Sequence, residues 1–281
     1  MRFTKGHGTG NDFVLLPDPD GRLTLTPALV AGLCDRRRGI GADGVLRVIR
    51  APKHPESAAY GREAEWFMDY WNADGSLAEM CGNGVRVFTR YLISEGLAAP
   101  AEAGLPIATR NGVVRVVVGE QEIAVDLGRP RLGGAGTAEV RSLTLAGTAV
   151  DCGNPHLVCT LPASLDLAAL DLSEPPKVDP TAFPNGVNVE FVRPAEPVLV
   201  ADLHVQMRVY ERGSAETLSC GSGAVAAAAV AMRDAGLDNG RVAIDVPGGR
   251  LIVTFDGTAC WLAGPAVLVA HGEVDEAALP G

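Results

Sequence analysis

No apolar run in this 281-residue sequence approaches the roughly 20 residues that cross a bilayer; the longest, Ala224 to Met232, is less than half of that. The opening Met1-Arg2-Phe3-Thr4-Lys5-Gly6-His7 lacks the apolar centre of a secretion signal. These absences predict a cytoplasmic protein with no membrane partner. Basic residues are outnumbered, 24 Lys and Arg against 34 Asp and Glu, and the formal net charge of −10 argues against broad binding to nucleic acid or anionic lipid. Histidine is scarce, at five residues, with no H-E-x-x-H and no clustered pair; C-x-x-C is absent too, so no metal site is expected. No Walker or nucleophile-elbow pattern occurs. Six cysteines without a secretion signal are not a disulfide framework, and Cys34, Cys152, Cys159 and Cys260 read as structural core thiols.

Cys81 and Cys220 stand in a different context. Each begins a Cys-Gly-x-Gly unit, Cys81-Gly82-Asn83-Gly84 and Cys220-Gly221-Ser222-Gly223, that opens a helix-like segment closing near Gly96-Leu97 or Gly236-Leu237. A thiol at that point sits beside free backbone N–H groups and the positive end of the helix dipole, which favour thiolate. The glycines let a small anion approach those amides. Trp71 and Tyr210 each lie ten residues before a cysteine, and Asn72 and Glu211 each lie nine before.

The likeness extends along the chain. Gly153-Asn154-Pro155-His156-Leu157-Val158 takes the place of Gly10-Asn11-Asp12-Phe13-Val14-Leu15, with Asn154 66 positions before Cys220 and Asn11 70 before Cys81. Asn188-Val189-Glu190-Phe191-Val192 aligns with Asp43-Gly44-Val45-Leu46-Arg47. Gly6-x-Gly8 is followed by the strand-like Phe13 to Leu16, so it is not a dinucleotide fingerprint. Gly128 to Gly136, rich in Gly, Pro and Arg, reads as a linker, and Asp166 to Leu170 as a short helix. The expectation is a duplicated chain. Residues 1–127 form one half, with a returning C-terminal strand at 270–281; 128–269 form the other, with the active site in the cleft between them.

Two opposed helix N-termini suit a distinct chemistry. Amides of Gly82, Asn83, Gly221 and Ser222 converge on one anionic group, most simply a carboxylate, and the sulfurs flank the carbon beside it. One base removes a proton and the other group returns one to the opposite face, which is racemisation or epimerisation. A thiol of pKa about 8.5 is only slightly ionised at neutral pH, and a helix terminus can bring it close to neutrality. General-base positioning supplies roughly 10²–10⁴-fold, so amide stabilisation of the carbanion must supply the rest. His156 and Glu211 could pass protons to or from the thiols; a satisfied loop histidine and a surface carboxylate are the equal alternatives. A redox disulfide between Cys81 and Cys220 is the non-enzymatic alternative.

The segments Lys5 to Phe13, Phe67 to Gly84, Gly153 to His156, Tyr210 to Gly223, Pro247 to Arg250 and Thr258 to Val267 resemble the diaminopimelate epimerase family, in order, from residue 2 to about residue 270. The resemblance implies an α+β fold of two pseudo-symmetric domains, each a mainly antiparallel β-sheet or barrel wrapped around a central helix. It implies interconversion of LL- and meso-2,6-diaminopimelate for lysine and peptidoglycan synthesis, without pyridoxal phosphate or metal. Cys81 and Cys220 fall on the acid–base positions, and His156 and Glu211 on accessory ones. Asn11, Asn72, Gly82, Asn83, Asn154, Asn188, Glu211, Arg212, Gly221 and Ser222 fall on substrate-contacting positions. A homodimer without cofactor is the family expectation, and a racemase of another amino acid the alternative. Two departures stand out: Gly44 replaces a substrate-contacting glutamine of some members, and Ala215 a frequent glycine.

Overall fold

The computed structural model describes residues 1–120 and 122–280. The chain forms two compact units, Met1–Val125 with the segment from Gly264 onward, and Asp126–Ala263. In the first unit, β1 (Arg2–Gly8) and β2 (Asn11–Pro17) precede α1 (Pro27–Cys34), β3 (Gly44–Arg50), β4 (Trp66–Asn72), α2 (Gly82–Ser94), β5 (Leu105–Thr109), β6 (Gly112–Val118) and β7 (Glu122–Asp126). The second holds β8 (Arg131–Val140), β9 (Leu143–Asp151), β10 (Pro155–Thr160), β11 (Lys177–Val178), β12 (Asn188–Pro194), β13 (Leu203–Glu211), β14 (Ala215–Thr217), α3 (Gly221–Asp234), β15 (Gly240–Val246), β16 (Gly249–Asp256) and β17 (Ala259–Pro265). β18 (Val267–Glu273) then pairs antiparallel with β1, Arg2 opposite Glu273. Among the described residues no helix is long and apolar enough to cross a membrane.

The two units repeat one pairing scheme. In the first, β2 pairs parallel with β3, β3 antiparallel with β4, β4 parallel with β5, and β5 antiparallel with β6. In the second, β10, β12, β13, β15 and β16 follow the same alternation. Their helices begin and end alike. Cys81 and Cys220 are the N-caps, each sulfur accepting the amide of the third helical residue, Gly84 or Gly223, at 3.4 Å. At the other end Gly96 (φ 66°) and Gly236 (φ 70°) turn left-handed, and the amides of Leu97 and Leu237 reach back to the carbonyls of Leu92 and Met232. That is the Schellman closure, and a left-handed residue is what it requires.

Burial follows composition. α3 is buried along nearly its whole length, from Gly223 to Val230, because its run of alanines lets strands approach on all sides. α2 buries Gly82 to Thr89 together with Tyr91 and Leu92. Thr26 caps α1 by accepting the Leu29 amide at 3.2 Å, with Pro27 at the first helical position.

Three expectations need correction. Gly128–Gly136 is mostly not a linker, since residues 131–140 form β8 in a hairpin with β9. Gly133 and Gly134 mark a register shift between Leu132 and Ala135, and the exposed, glycine-rich strand lacks the apolar alternation that advertises one. The helix expected over Asp166 to Leu170 is a single 3₁₀ turn, Leu167–Ala169. The matching of Asn188 with Asp43 is off by one residue. Phe13 lies opposite Gly44, and His156 lies opposite Asn188, so the counterpart of Asn188 is Gly44 and that of Glu190 is Leu46. One residue of slip exchanges the two faces of a strand, which matters for what surrounds each thiol.

Candidate active site

In the first unit the half-buried Cys81 sulfur lies 3.5 Å from Asn11 Oδ1, which also accepts from Asn83 Nδ2 at 3.3 Å. Asn11 Nδ2 donates to Asp43 at 2.8 Å, and Asp12 is held by Lys5 and Arg36, so this turn is tied down by charge. Asn72 donates to Ser76 Oγ at 3.0 Å. Behind the cap the contacts are apolar: a Cβ on Gly84 would meet Leu46 and Phe13 at 3.5 Å, ordinary van der Waals contact.

One turn into α2, Arg86 is fully buried and donates to Thr9 Oγ1 at 3.2 Å. Its Nε and Nη1 have no partner among the described residues, and burial pulls its pKa down to about 10. The same helix position in the second unit is Val225. Nothing in the order of residues separates Arg86 from any other helical arginine.

The second thiol has a polar setting. Cys220 is 7% exposed, and its sulfur lies 3.6 Å from Ser222 Oγ. Glu211 hydrogen-bonds both Thr217 and Cys220. Asn154 donates to Ser222 Oγ at 3.5 Å, and its Oδ1 lies 3.0 Å from His156 Nε2. His156 Nδ1 lies 2.7 Å from Glu190 Oε1, with both side chains fully buried. His156 is therefore neither a surface group nor in contact with sulfur; both its ring nitrogens are engaged, by Glu190 and Asn154. Glu190 carries no signal in the sequence, where it is one acid in the strand-like run Asn188 to Val192; its contact with His156 is what marks it.

The helix terminus does not bring Cys220 close to neutrality, as its position alone suggests. Burial pushes the thiol well up, and the carboxylates of Glu211 and Glu190 add to this; Ser222 and the Gly223 amide oppose it. Burial likewise raises Glu211 and Glu190, against Thr217 and Cys220 for the first and His156 for the second. The remaining thiols are plain by comparison: burial pushes Cys34, Cys159 and Cys260 up to about 12, and Cys152 up as well.

Of the other expected contacts, Asn188 Oδ1 accepts the Arg212 amide at 2.9 Å and its Nδ2 reaches the Pro155 carbonyl at 3.5 Å. The exposed Arg212 guanidinium donates to the Asn185 carbonyl at 3.1 Å and makes no ion pair among the described residues. Gly82 and Gly221 are the first residues of α2 and α3, and both are buried. Among the described residues no cluster of three or more His, Cys, Asp or Glu side chains is placed to hold a metal.

The polar lining gives a steric test. A Cβ on Gly223 would come within 2.6 Å of Glu190 Oε1, whereas the matching Gly84 has ordinary room. Gly223→Ala is expected to cost about 1–3 kcal/mol through overpacking. Gly84→Ala is expected to be neutral or to stabilise by up to about 1 kcal/mol. Thermal melts of the two variants should separate in that order; equal melting temperatures would show that Glu190 does not abut the second cap.

The family profile for diaminopimelate epimerase matches residues 3–133 and 148–274. The chain is 50% identical to diaminopimelate epimerase of Thermobifida fusca (strain YX), over 99% of this chain and 100% of that one. The chain belongs to the diaminopimelate epimerase family. The diaminopimelate epimerase of Streptomyces coelicolor is also 50% identical, over 100% of this chain and 98% of its own. Among solved structures, a phenazine biosynthesis protein of the PhzF family from Bacillus anthracis aligns with a TM-score of 0.67 at 19% identity, covering 98% of each chain. At that identity the likeness concerns the fold: α+β, two pseudo-symmetric halves, mostly sheet with few helices.

Both departures from the diaminopimelate epimerase pattern have a structural form. A side chain at Gly44 would meet the Trp71 carbonyl at 2.5 Å and the Tyr70 ring at 2.7 Å, so this backbone has no room for the glutamine that some members of the family carry. Ala215 adopts φ 61°, the left-handed region in which a glycine is at ease and a Cβ costs roughly 1–2 kcal/mol.

Proposed function

We propose that the protein interconverts LL- and meso-2,6-diaminopimelate, with Cys81 and Cys220 as the acid–base pair. One sulfur, as thiolate, removes the α-proton; the other, as thiol, delivers a proton to the opposite face, and the roles exchange with direction. The observation that carries this reading is the repeated device of a cysteine N-cap on a glycine-rich helix start, each sulfur placed beside the first amides of its helix. Those amides of Gly82, Asn83, Gly221 and Ser222 bind the reacting carboxylate and stabilise charge as it spreads from the α-carbon. Asn11, Asn72, Asn154, Asn188, Glu211 and Arg212 hold the substrate's polar groups. The exposed Arg212 guanidinium suits the distal carboxylate, which it can grip with two parallel hydrogen bonds. Glu211 exchanges protons with Cys220 directly, and His156 acts on the same thiol through Asn154 and Ser222.

The reaction needs no cofactor. It supplies precursors of lysine and peptidoglycan, in the cytoplasm, from a homodimer. The test is turnover by purified protein without additions, offered LL-diaminopimelate and a panel of monocarboxylic amino acids in D₂O. Epimerisation of LL-diaminopimelate with deuterium entering the product α-position is the expected result. Racemisation of a simple amino acid instead would assign a different substrate. Retention of the original α-hydrogen would exclude exchange through thiols.

A further inference from the structure

Behind Cys220 the second unit carries a hydrogen-bonded chain, buried at its Glu190–His156 end and half-buried at Asn154 and Ser222, that the first unit lacks. It runs from Glu190 Oε1 to His156 Nδ1 (2.7 Å), from His156 Nε2 to Asn154 Oδ1 (3.0 Å), from Asn154 Nδ2 to Ser222 Oγ (3.5 Å), and from Ser222 Oγ to Cys220 Sγ (3.6 Å). At the positions of His156 and Glu190 the first unit has Phe13 and Leu46, both fully buried. A fold built twice has thus replaced an apolar pair by an ionisable one in one copy. Burying such groups is costly unless they serve each other, and Glu190 keeps one oxygen without a partner among the described residues.

The chain has a direction. Asn154 accepts through Oδ1 only if His156 Nε2 carries hydrogen, and then its amide nitrogen donates to Ser222. With its oxygen receiving that bond, the Ser222 hydroxyl hydrogen is free to point at sulfur, which supports the thiolate. Were Nε2 bare, Asn154 would turn over, Ser222 would donate to Asn154 Oδ1, and the sulfur would donate to Ser222 as a thiol. Carboxylate with imidazolium, or carboxylic acid with neutral imidazole, both leave hydrogen on Nε2 and both leave the pair uncharged. A bare carboxylate beside a neutral, Nδ1-protonated ring does not.

We infer that Glu190 is a positioning residue for Cys220: paired with His156 in the core, it keeps hydrogen on His156 Nε2 and so fixes the polarity of the Asn154–Ser222 chain that ends on the sulfur. The inference rests on the acid–base role proposed for Cys220. Glu190 touches neither sulfur nor substrate in this scheme and acts through three intermediaries. Other ionisable groups act on this pair. Asp151 on β9 and Glu211 on β13 interact with His156, and Cys152, Cys159 on β10 and Cys220 at the start of α3 interact with Glu190. Those acids and thiols are present in wild type and variant alike, so they do not account for a difference between them.

Glu190→Gln keeps the shape but allows the ring to carry its hydrogen on Nδ1 alone, leaving Nε2 bare, and Asn154 to adopt either orientation. If Glu190 were a bare carboxylate beside a neutral ring, its removal would make Cys220 ionise more readily; if it orders the relay, releasing the Ser222 hydroxyl does the reverse. The two effects have opposite signs, which makes the experiment decisive. Alkylation of each cysteine by iodoacetamide is followed against pH by peptide mass spectrometry, with Cys81 in the same molecules as the internal control. The expected result is a Cys220 midpoint raised by about one unit, tenfold slower alkylation at fixed pH, and an unmoved Cys81. Ser222→Ala should raise the Cys220 midpoint similarly, and the double variant should add nothing further. In turnover, kcat should fall while KM stays near the wild-type value.

A Cys220 midpoint that is unchanged or lowered by Glu190→Gln overturns the inference. If that variant does not fold, nitrogen NMR of the wild-type histidines decides: a protonated His156 Nε2 at neutral pH, assigned by its loss in His156→Gln, is expected, and a bare Nε2 overturns it. The alkylation and NMR readouts need no substrate. A protein inactive on diaminopimelate that still shows the shift would refute the substrate and leave the relay standing; the converse result would refute the relay alone.

Discussion

Replacing Cys81 or Cys220 by alanine should lower epimerisation by about 10²–10⁴-fold or more, the range that a positioned acid or base contributes. The loss should appear in kcat, because neither sulfur is needed to grip the distal arm of the substrate. Both variants should fold: Cys81 is half-buried and Cys220, although 7% exposed, loses only one sulfur atom at a helix cap. The caps will weaken, since each sulfur accepts an amide at 3.4 Å, at a cost of about 1 kcal/mol. Combining the two changes should cost little more than either alone, because an acid–base pair acts as a unit. A single variant with near-wild-type kcat and ordinary deuterium incorporation would remove that cysteine from the mechanism.

The largest effect on stability is expected at Asp69, on β4. Its side chain is 1% exposed; Oδ1 accepts from Arg110 at 2.6 Å and from the Trp71 indole at 2.8 Å, and Oδ2 lies 3.6 Å from Arg47. Arg47 also pairs with Asp18, at 2.6 Å. Asp69→Ala takes a shared carboxylate from two largely buried guanidinium groups, leaving Arg47 with Asp18 and Arg110 with the half-exposed Glu56. Breaking such a buried network from one side costs about 3–5 kcal/mol. The midpoint of urea unfolding should fall accordingly. Glu273→Ala, which removes the exposed partner of Arg2, should stay within about 1 kcal/mol of wild type.

Asp69 also reaches the site at a distance. Arg110 holds the carbonyls of Tyr70 and Ala78 at 2.9 and 3.2 Å, and Ala78 lies three residues before Cys81. A conservative Asp69→Asn variant that folds should therefore bind substrate less well even though residue 69 touches none of it. An unfolding midpoint equal to that of wild type for Asp69→Ala would show that the network contributes nothing.

Much of this protein's architecture is set by local chemistry along the chain. The caps at Cys81 and Cys220 and the glycine closures at Gly96 and Gly236 depend on neighbours a few residues away, so the order of residues reveals them. The duplication was legible for the same reason, because repeated local devices keep their order. The hairpin of β8 and β9 was not, since its exposed, glycine-rich strand bears no alternation to read.

What the chain's order determined by itself was which two sulfurs matter and what they sit beside along the backbone. Only the tertiary structure decided how differently those sulfurs are surrounded. Strand register placed Glu190 against His156, and Leu46 against the first cap, across separations of tens of residues. Register is a long-range property, and a shift of one residue sends every side chain to the other face. The burial that pushes Cys220 up is likewise a sum over distant strands and helices, which a helix terminus four residues long can oppose but not outweigh.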